Sequence, residues 1–301
     1  MTQHTPEPGA LAFVGEPDPD ALDRLAGDPA VRVVLLVADG IAAPRRFMSA
    51  ARAAARNKPV IAVAAAAGGL HGAVIETALR RAGLLRAATL AEGQALARAL
   101  AAAPDDDDHP VRQAWRELQA TLMETPEAHA HPEPDLARAR ACFDTAHDRL
   151  SDAATRCVLE AFGVTAGALR DGGPWRAGTA IDAVFGPVLW CARGDEPPRA
   201  ALPPLNRRLA RDLTGPAAGD ALHDLLIALG RMLADLPRLA ALEISATEAQ
   251  IHVAQQPVAG AERFAILPYP AALATQQAWN GRTITVRPIR PEDEPQHRRF
   301  I

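Results

Sequence analysis

The stretch VRVVLLVADGIAAPRRFMSAARAAARNKPVIAV, residues 31–63, decides the fold. Val31–Val37 is an almost unbroken apolar run, which is typical of a parallel strand covered on both faces. From Pro44 to Asn57, apolar residues recur at the spacing of one helix face, and most arginines fall elsewhere. Val60–Val63 is a second apolar run. A strand, a crossover helix and a parallel strand form one right-handed unit, so the stretch predicts an α/β domain.

Shorter segments on both sides continue this alternation. The sequence predicts strands at residues 11–14 and 84–88, and helices at residues 21–26, 73–82 and 90–103. The third helix is opened by Gly68-Gly69-Leu70-His71-Gly72. We therefore expect a small doubly wound α/β domain over residues 11–103, preceded by a disordered lead at residues 1–10.

The second half of the chain mixes helices and strands. Residues 104–134 contain four successive aspartates and several prolines, which predicts a linker that carries one helix, at residues 111–123. Further helices are predicted at residues 136–150, 153–162, 207–213 and 221–233. Residues 241–245 and 249–253 are predicted to form an antiparallel strand pair.

Composition excludes some classes of function. The chain has a net charge of -4 and no basic block, so we expect no nucleic-acid partner. No segment approaches the roughly 20 apolar residues of a membrane helix, and no leader is apparent, so we expect a soluble, cytoplasmic protein without a membrane partner. Cys142, Cys157 and Cys191 are widely spaced, which predicts buried, reduced thiols.

Several short motifs carry a family resemblance. In the first half they are Gly40-Ile41, Arg46-Phe47-Met48, Lys58-Pro59-Val60 and Arg80-Arg81-Ala82-Gly83. These residues resemble the flavodoxin-like (succinyl-CoA synthetase-like) ligase domain of NDP-forming acyl-CoA synthetases. The resemblance is strongest to the form that is fused to a GNAT acetyltransferase in bacterial protein lysine acetyltransferases.

The same resemblance extends along the chain. LSDAATRCVLEAFGV at residues 150–164, DAVFGPV at 182–188 and LPPLN at 202–206 resemble parts of an ATP-grasp domain. FAILPYP at 264–270 and ITVRPIRPED at 284–293 resemble the junction and first strand of a GNAT domain. The resemblance implies a reduced ATP-grasp-like α+β domain at residues 135–270 and an incomplete start of a GNAT domain at 283–301.

The resemblance also implies site residues. These ligases pass a phosphoryl group through a histidine held at helix N-termini, where free amides stabilise the added charge. His71 is the candidate, with Gly68, Gly69 and Gly72 as candidate phosphate-site residues. The alternative is a solvent-facing histidine at a helix cap.

A metal ligand and cofactors are implied in the same way. ATP-grasp enzymes hold magnesium through acidic and amide oxygens. Here the matching residues read Glu243-Ile244-Ser245-Ala246, which makes Glu243 the candidate metal ligand. ATP with magnesium, and CoA or acetyl-CoA, are the cofactors that the resemblance implies.

Parts of the family pattern have no counterpart in this sequence. We find no CoA-binding domain before the first strand, no second flavodoxin-like domain, no first ATP-grasp lobe between Gly163 and Asp182, and no acetyl-CoA loop after Ile284. We therefore expect a degenerate, pseudoenzyme-like module with a regulatory or scaffolding role beside a GNAT N-acetyltransferase, with self-association or a GNAT domain as its partner. The alternatives are an active ADP-forming acid-CoA ligase that works through a phosphohistidine, and a binding module that senses acyl-CoA.

Overall fold

The structure is a computed structural model. It describes residues 10–65, 67–102, 110–122, 133–144, 146–164, 169, 173–215, 218–256, 261–267, 273–289 and 293. Most of the predicted lead at residues 1–10 therefore lies outside the described residues, as do large parts of the predicted linker.

The first unit is a parallel sheet with helices on both faces. Its four strands lie in the order β1-β2-β3-β4, all parallel. Its elements are β1 Ala10–Val14, α1 Pro19–Gly27, β2 Val31–Val37, α2 Pro44–Asn57, β3 Val60–Val63, α3 Gly69–Arg81, β4 Leu85–Ala87 and α4 Leu90–Ala102. The predicted α/β class and the strand-helix-strand unit of residues 31–63 are confirmed.

Alternate residues of β2 point into two different apolar layers. Val34 and Leu36 belong to the cluster that contains buried residues of α1, α2 and α3. Val33 and Leu35 belong to the cluster that contains buried residues of α4. Helices thus cover both faces, as expected. The described strand order nevertheless runs without a reversal, so the expected doubly wound order is wrong in that detail.

Local polar contacts fix the ends of the helices around β2. The Asp18 carboxylate caps α1 by accepting a hydrogen bond from the Asp20 amide at 3.0 Å. Lys58, which follows α2, is buried and donates from Nζ to the carbonyl oxygens of Leu25, Asp28 and Val31 at 2.7, 2.8 and 2.9 Å. This single ammonium group ties the end of α1 to the start of β2.

The helix inside the predicted linker is attached to the first unit. This helix, α5, spans Pro110–Leu122. The Trp115 indole N–H donates to the Ala55 carbonyl at 2.9 Å, and the Gln119 amide donates to the Gly83 carbonyl at 2.9 Å. Both carbonyls lie near helix ends, where backbone oxygens lack partners within the helix.

The second unit is an antiparallel sheet packed with helices. Its five strands lie in the order β7-β6-β5-β8-β9. Its elements are α6 Leu136–Asp144, α7 Asp152–Ala161, β5 Trp175–Asp182, β6 Gly186–Arg193, β7 Arg199–Ala201, α8 Arg207–Thr214, α9 Asp220–Asp235, β8 Leu239–Ile244 and β9 Ala249–Val253. The expected α+β character and the antiparallel β8-β9 pair are confirmed, whereas β5 was not predicted.

The predicted helix over residues 136–150 is wrong at its C-terminal end. Helix α6 ends at Asp144, before the predicted end at residue 150. The Arg238 guanidinium donates to the carbonyls of Phe143 and Ala146, the latter at 2.9 Å. Leu150 then donates its amide to the Ile251 carbonyl at 3.0 Å, which places the chain beside β9.

The two units share an apolar core along α3. Val74 and Ala78 of α3 belong to the same buried cluster as Val188, Ala200 and Leu202 of the second unit. Polar contacts flank this cluster, since Thr77 Oγ1 donates to the Ala200 carbonyl at 2.8 Å. The second sheet is therefore docked directly on the first unit.

A separate hairpin follows the second unit. Strands β10 Thr275–Trp279 and β11 Arg282–Val286 are antiparallel, and every residue in them is exposed. The turn residues Asn280 and Gly281 have φ values of 48° and 73°, as a tight hairpin turn requires. The strand predicted near Ile284 is confirmed, and most of the acidic stretch after it lies outside the described residues. Within the described part of the chain, no helix is long and apolar enough to cross a bilayer.

Candidate functional site

The candidate site lies where α3 begins, at the carboxyl edge of the parallel sheet. Helix α3 begins at Gly69, not at residue 73 as predicted, so His71 lies in its first turn. Gly68 is the N-cap and has an extended backbone. The amides of the first turn have no acceptor within the helix, which gives this end of α3 its positive potential.

The loop before α3 is held tightly. The Asp39 carboxylate accepts a hydrogen bond from the Ala65 amide at 2.7 Å. A Cβ atom on Gly72 would lie 1.8 Å from the Ala67 carbonyl oxygen, so only glycine fits at this position. Gly69 has a φ of +65°, which also favours glycine. Gly69 and Gly72 thus shape this loop, whereas a side chain on Gly68 would meet open space. The predicted contact of Gly68, Gly69 and Gly72 with phosphate stays a prediction.

Asp182 is the residue that holds His71. Its Oδ2 atom lies 2.6 Å from Nδ1 of His71. The Asp182 side chain is only 6% exposed, whereas that of His71 is 45% exposed. Asp182 also accepts hydrogen bonds from the amides of Val184 and Phe185, both at 2.9 Å.

These contacts fix the charge of Asp182. Burial by itself would raise its pKa, but the hydrogen bonds from His71, Phe185 and Val184 outweigh burial and hold the pKa below its usual value. Asp182 is therefore ionised at neutral pH, and Nδ1 of His71 must donate the proton in their hydrogen bond. A neutral His71 then carries a free lone pair on Nε2, the atom that a nucleophile or base would use.

Glu243 lies in β8, in a setting that differs from the predicted metal site. Its side chain is 57% exposed, and its nearest ionic partner is a cation, the Arg176 guanidinium at 3.9 Å. Among the residues that the structure describes, no group of three or more His, Cys, Asp or Glu side chains is placed to hold a metal ion. The described surroundings of Glu243 do not fit magnesium, which needs several oxygen ligands.

A cavity of about 360 Å³ lies between α3 and the second unit. Leu118, Leu202 and Leu209 contribute to its apolar wall. Its charged lining residues are Arg80, Arg81, Arg199, Glu76 and Asp212, which carry a net positive charge. Burial and the neighbouring Arg52 lower the pKa of Arg81 to about 10, so Arg81 stays charged at neutral pH. Such a cavity suits an amphipathic anion.

Comparison with known protein families identifies the first unit. A family model described as the succinyl-CoA ligase like flavodoxin domain matches residues 17–100. The first unit is succinyl-CoA ligase-like. This match covers the helices and strands from α1 nearly to the end of α4, including His71. The likeness of the second unit to ATP-grasp domains, and of the last residues to GNAT domains, stays a prediction.

Solved structures with a partial likeness are known. PH0766 of Pyrococcus horikoshii OT3 is 20% identical, over 32% of this chain and 28% of its own. The dinucleotide-forming acetyl-coenzyme A synthetase 1 of Ca. Korarchaeum cryptofilum, solved with phosphate and ADP and in the apo form, is 26% identical over 29% of this chain and 22% of its own. Every TM-score is 0.27, too low to support an argument about shared architecture. The chain thus spans under a third of the length of these proteins.

Sequence reasoning missed the partner of the candidate histidine. Asp182 was noted only as part of an ATP-grasp-like motif, and nothing in the local pattern links it to the ligase-like domain. The two residues are 111 positions apart. The one available signal was the Asp-x-x-Phe-Gly turn, since an aspartate at the start of a turn often binds the following amides.

Proposed function

We propose that the chain is an acid-CoA ligase-like module in which Nε2 of His71 accepts a phosphoryl group. The supporting observation is the 2.6 Å contact between Nδ1 of His71 and the ionised Asp182. In the reaction, the Nε2 lone pair attacks phosphorus, a new N–P bond forms, and the P–O bond to the donor breaks. The leaving oxygen keeps the electron pair of that bond.

The position of His71 suits this step in two ways. Asp182 balances the positive charge that the imidazole ring gains when Nε2 binds phosphorus, because Nδ1 keeps its proton. The start of α3 adds amides and a positive dipole end, which favour a phosphoryl group nearby. The phosphoryl donor is an acyl phosphate or ATP. Glu243 has no role as a magnesium ligand in this step, since its described surroundings do not fit the ion.

Labelling tests this proposal. Purified chain is incubated with radiolabelled ATP or acyl phosphate, and we expect a base-stable, acid-labile label that is lost in His71→Gln. Asp182→Asn should slow labelling because Nδ1 loses its ionic partner. His147→Gln is the matched control, since His147 is also exposed. Absence of label, or label that persists in His71→Gln, would show that His71 is not the acceptor.

The cavity supports a second candidate function, which is acyl-CoA sensing. Its apolar wall suits an acyl chain, and its three arginines outnumber its two carboxylate residues, Glu76 and Asp212, which favours an anionic group. A ligand that binds only the folded state raises the unfolding temperature. We expect acetyl-CoA or a longer acyl-CoA to raise it in the native chain but not in Leu209→Trp, which fills the cavity. Leu267→Trp, at an exposed position, is the control. No shift with any acyl-CoA would argue against sensing.

The regulatory or scaffolding role beside a GNAT N-acetyltransferase is also a proposal. It is supported by the β10-β11 hairpin, where Trp279, Ile284 and Val286 are exposed large apolar residues. Exposed apolar residues that cluster often mark an interaction surface. Sedimentation velocity tests self-association through this hairpin: Trp279→Ser should lower the fraction of dimer. A native chain that stays monomeric at high concentration would count against self-association.

A further inference from the structure

Two cysteines that are separated in sequence are neighbours on the surface of the second unit. Cys142 lies on α6 and Cys157 on α7, and both are partly exposed, whereas Cys191 is buried. The expectation that all three thiols are buried is therefore wrong for this pair. Burial and a hydrogen bond with the Cys157 side chain raise the pKa of the Cys142 thiol to about 11. Both sulfurs also contact Arg138, Cys142 through the backbone carbonyl and Cys157 through the guanidinium, so the two thiols lie near each other where α6 meets α7.

An arginine lies against the sulfur of Cys157. The Arg138 Nε–H donates to Cys157 Sγ at 3.2 Å, while the same guanidinium donates to the Glu160 carboxylate at 2.9 Å. The Cys142 thiol donates to the Arg138 carbonyl at 3.4 Å. A guanidinium beside a sulfur stabilises negative charge on it, which makes that sulfur the better nucleophile.

These contacts assign different chemistry to the two sulfurs. Cys157 is partly exposed, so an oxidant can reach it, and the Arg138 guanidinium lies in direct contact with its sulfur. Cys142 holds its proton and is positioned to attack a modified Cys157. A reactive thiol with a second thiol in contact is the arrangement that forms a disulfide rather than a higher oxide.

We propose that Cys142 and Cys157 are a peroxide-sensitive thiol pair that closes to a disulfide between α6 and α7. The Cys157 sulfur attacks one peroxide oxygen, so that an S–O bond forms, the O–O bond breaks and hydroxide leaves, giving a sulfenic acid. The Cys142 sulfur then attacks the Cys157 sulfur, the S–S bond forms and the S–O bond breaks. In sum, two thiols and one hydrogen peroxide give one disulfide and two waters, and the sulfurs lose two electrons.

Peptide mapping of the full chain after treatment with hydrogen peroxide tests the pairing. We expect a reducible cross-link between the peptides that contain Cys142 and Cys157, with Cys191 left as a free thiol in the same sample. Dithiothreitol should restore both thiols. Cross-links that involve Cys191, or irreversible oxidation of Cys157 without a cross-link, would overturn the proposal.

Variants separate the roles of the two sulfurs. In Cys142→Ser, a dimedone adduct should accumulate on Cys157, because the second thiol is missing. Arg138→Gln should slow disulfide formation about tenfold, whereas Arg140→Gln, two positions along α6, should leave the rate unchanged. Equal rates in both arginine variants would show that the guanidinium does not activate Cys157. Circular dichroism checks that each variant is folded.

Discussion

His71 and Asp182 join the two units of the protein through one hydrogen bond. Nδ1 of His71 on α3 lies 2.6 Å from Oδ2 of Asp182 at the end of β5. One residue belongs to the succinyl-CoA ligase-like domain and the other to the antiparallel sheet. The same contact therefore stabilises the docking of the units and sets which nitrogen of His71 is free.

The first prediction concerns the pH dependence of this contact. The pKa of Asp182 is lower in the folded state than in the unfolded chain. Asp182 therefore contributes stability above about pH 4, and this contribution is lost as pH falls through the lower, folded pKa. In urea unfolding, Asp182→Asn should be clearly less stable than the native chain at pH 7, and the difference should shrink toward pH 3.

An exposed aspartate provides the control for that comparison. Asp195→Asn should leave the urea midpoint close to that of the native chain at both pH values. If the urea midpoints of Asp182→Asn and the native chain differ by the same amount at pH 7 and pH 3, the carboxylate charge does not stabilise the fold.

The second prediction concerns the loop before α3. Gly72→Ala places a methyl group 1.8 Å from the Ala67 carbonyl oxygen, so backbone must move. We expect a loss of about 1–3 kcal/mol in the free energy of unfolding. Gly27→Ala, where a Cβ meets nothing within 4 Å, should change it by less than about 0.5 kcal/mol. Similar urea midpoints for Gly72→Ala and Gly27→Ala would show that the loop can relax freely.

The third prediction uses the only lysine in the 301 residues, Lys58. Its ammonium group is buried among three carbonyl oxygens, and burial lowers its pKa. We expect an amine-reactive reagent to modify Lys58 slowly in the folded chain and quickly after denaturation. Peptide mapping measures the modified fraction of Lys58 in both states. Equal reaction rates in the folded and denatured chain would mean that Lys58 is accessible.

The fourth prediction concerns the middle of the antiparallel sheet. Thr179 is buried, and its hydroxyl accepts a hydrogen bond from the Leu242 amide at 3.0 Å. Thr179→Val keeps the shape of the side chain but leaves the Leu242 amide without its acceptor. The free energy of unfolding should therefore fall by about 1–3 kcal/mol. Thr283→Val, at an exposed position of β11, is the control and should change little. If Thr179→Val leaves the free energy of unfolding unchanged, the Leu242 amide finds another acceptor.

The sequence predicted most of the first unit because its signals are local. The apolar run of β2, the spacing in α2 and the proline at its start all depend on neighbours within a few residues. The bounds of β2, α2 and β3 match the structure for that reason. The start of α3 was misplaced because glycines normally argue against a helix, whereas here Gly69 and Gly72 are required by the tight loop.

The features of the second unit that the sequence did not predict depend on contacts between residues far apart in the chain. Strand β5 contains Arg176, Gly178 and Thr179, which weaken its apolar pattern, and it is a strand because β6 and β8 pair with it on both sides. Trp190 packs at the position where a side chain on Gly178 would lie. The contacts of His71 with Asp182 and of Arg138 with Cys157 likewise form only after the chain folds.

The apolar cluster shared along α3 also affects how this protein can change over generations. Ala78 of the first unit and Val188 and Leu202 of the second fill one continuous interior. A larger side chain on one side must be offset by a smaller one on the other, since close-packed interiors have no spare volume. Residues on the two sides of this cluster are therefore expected to covary. The two units should be inherited together rather than exchanged as independent modules.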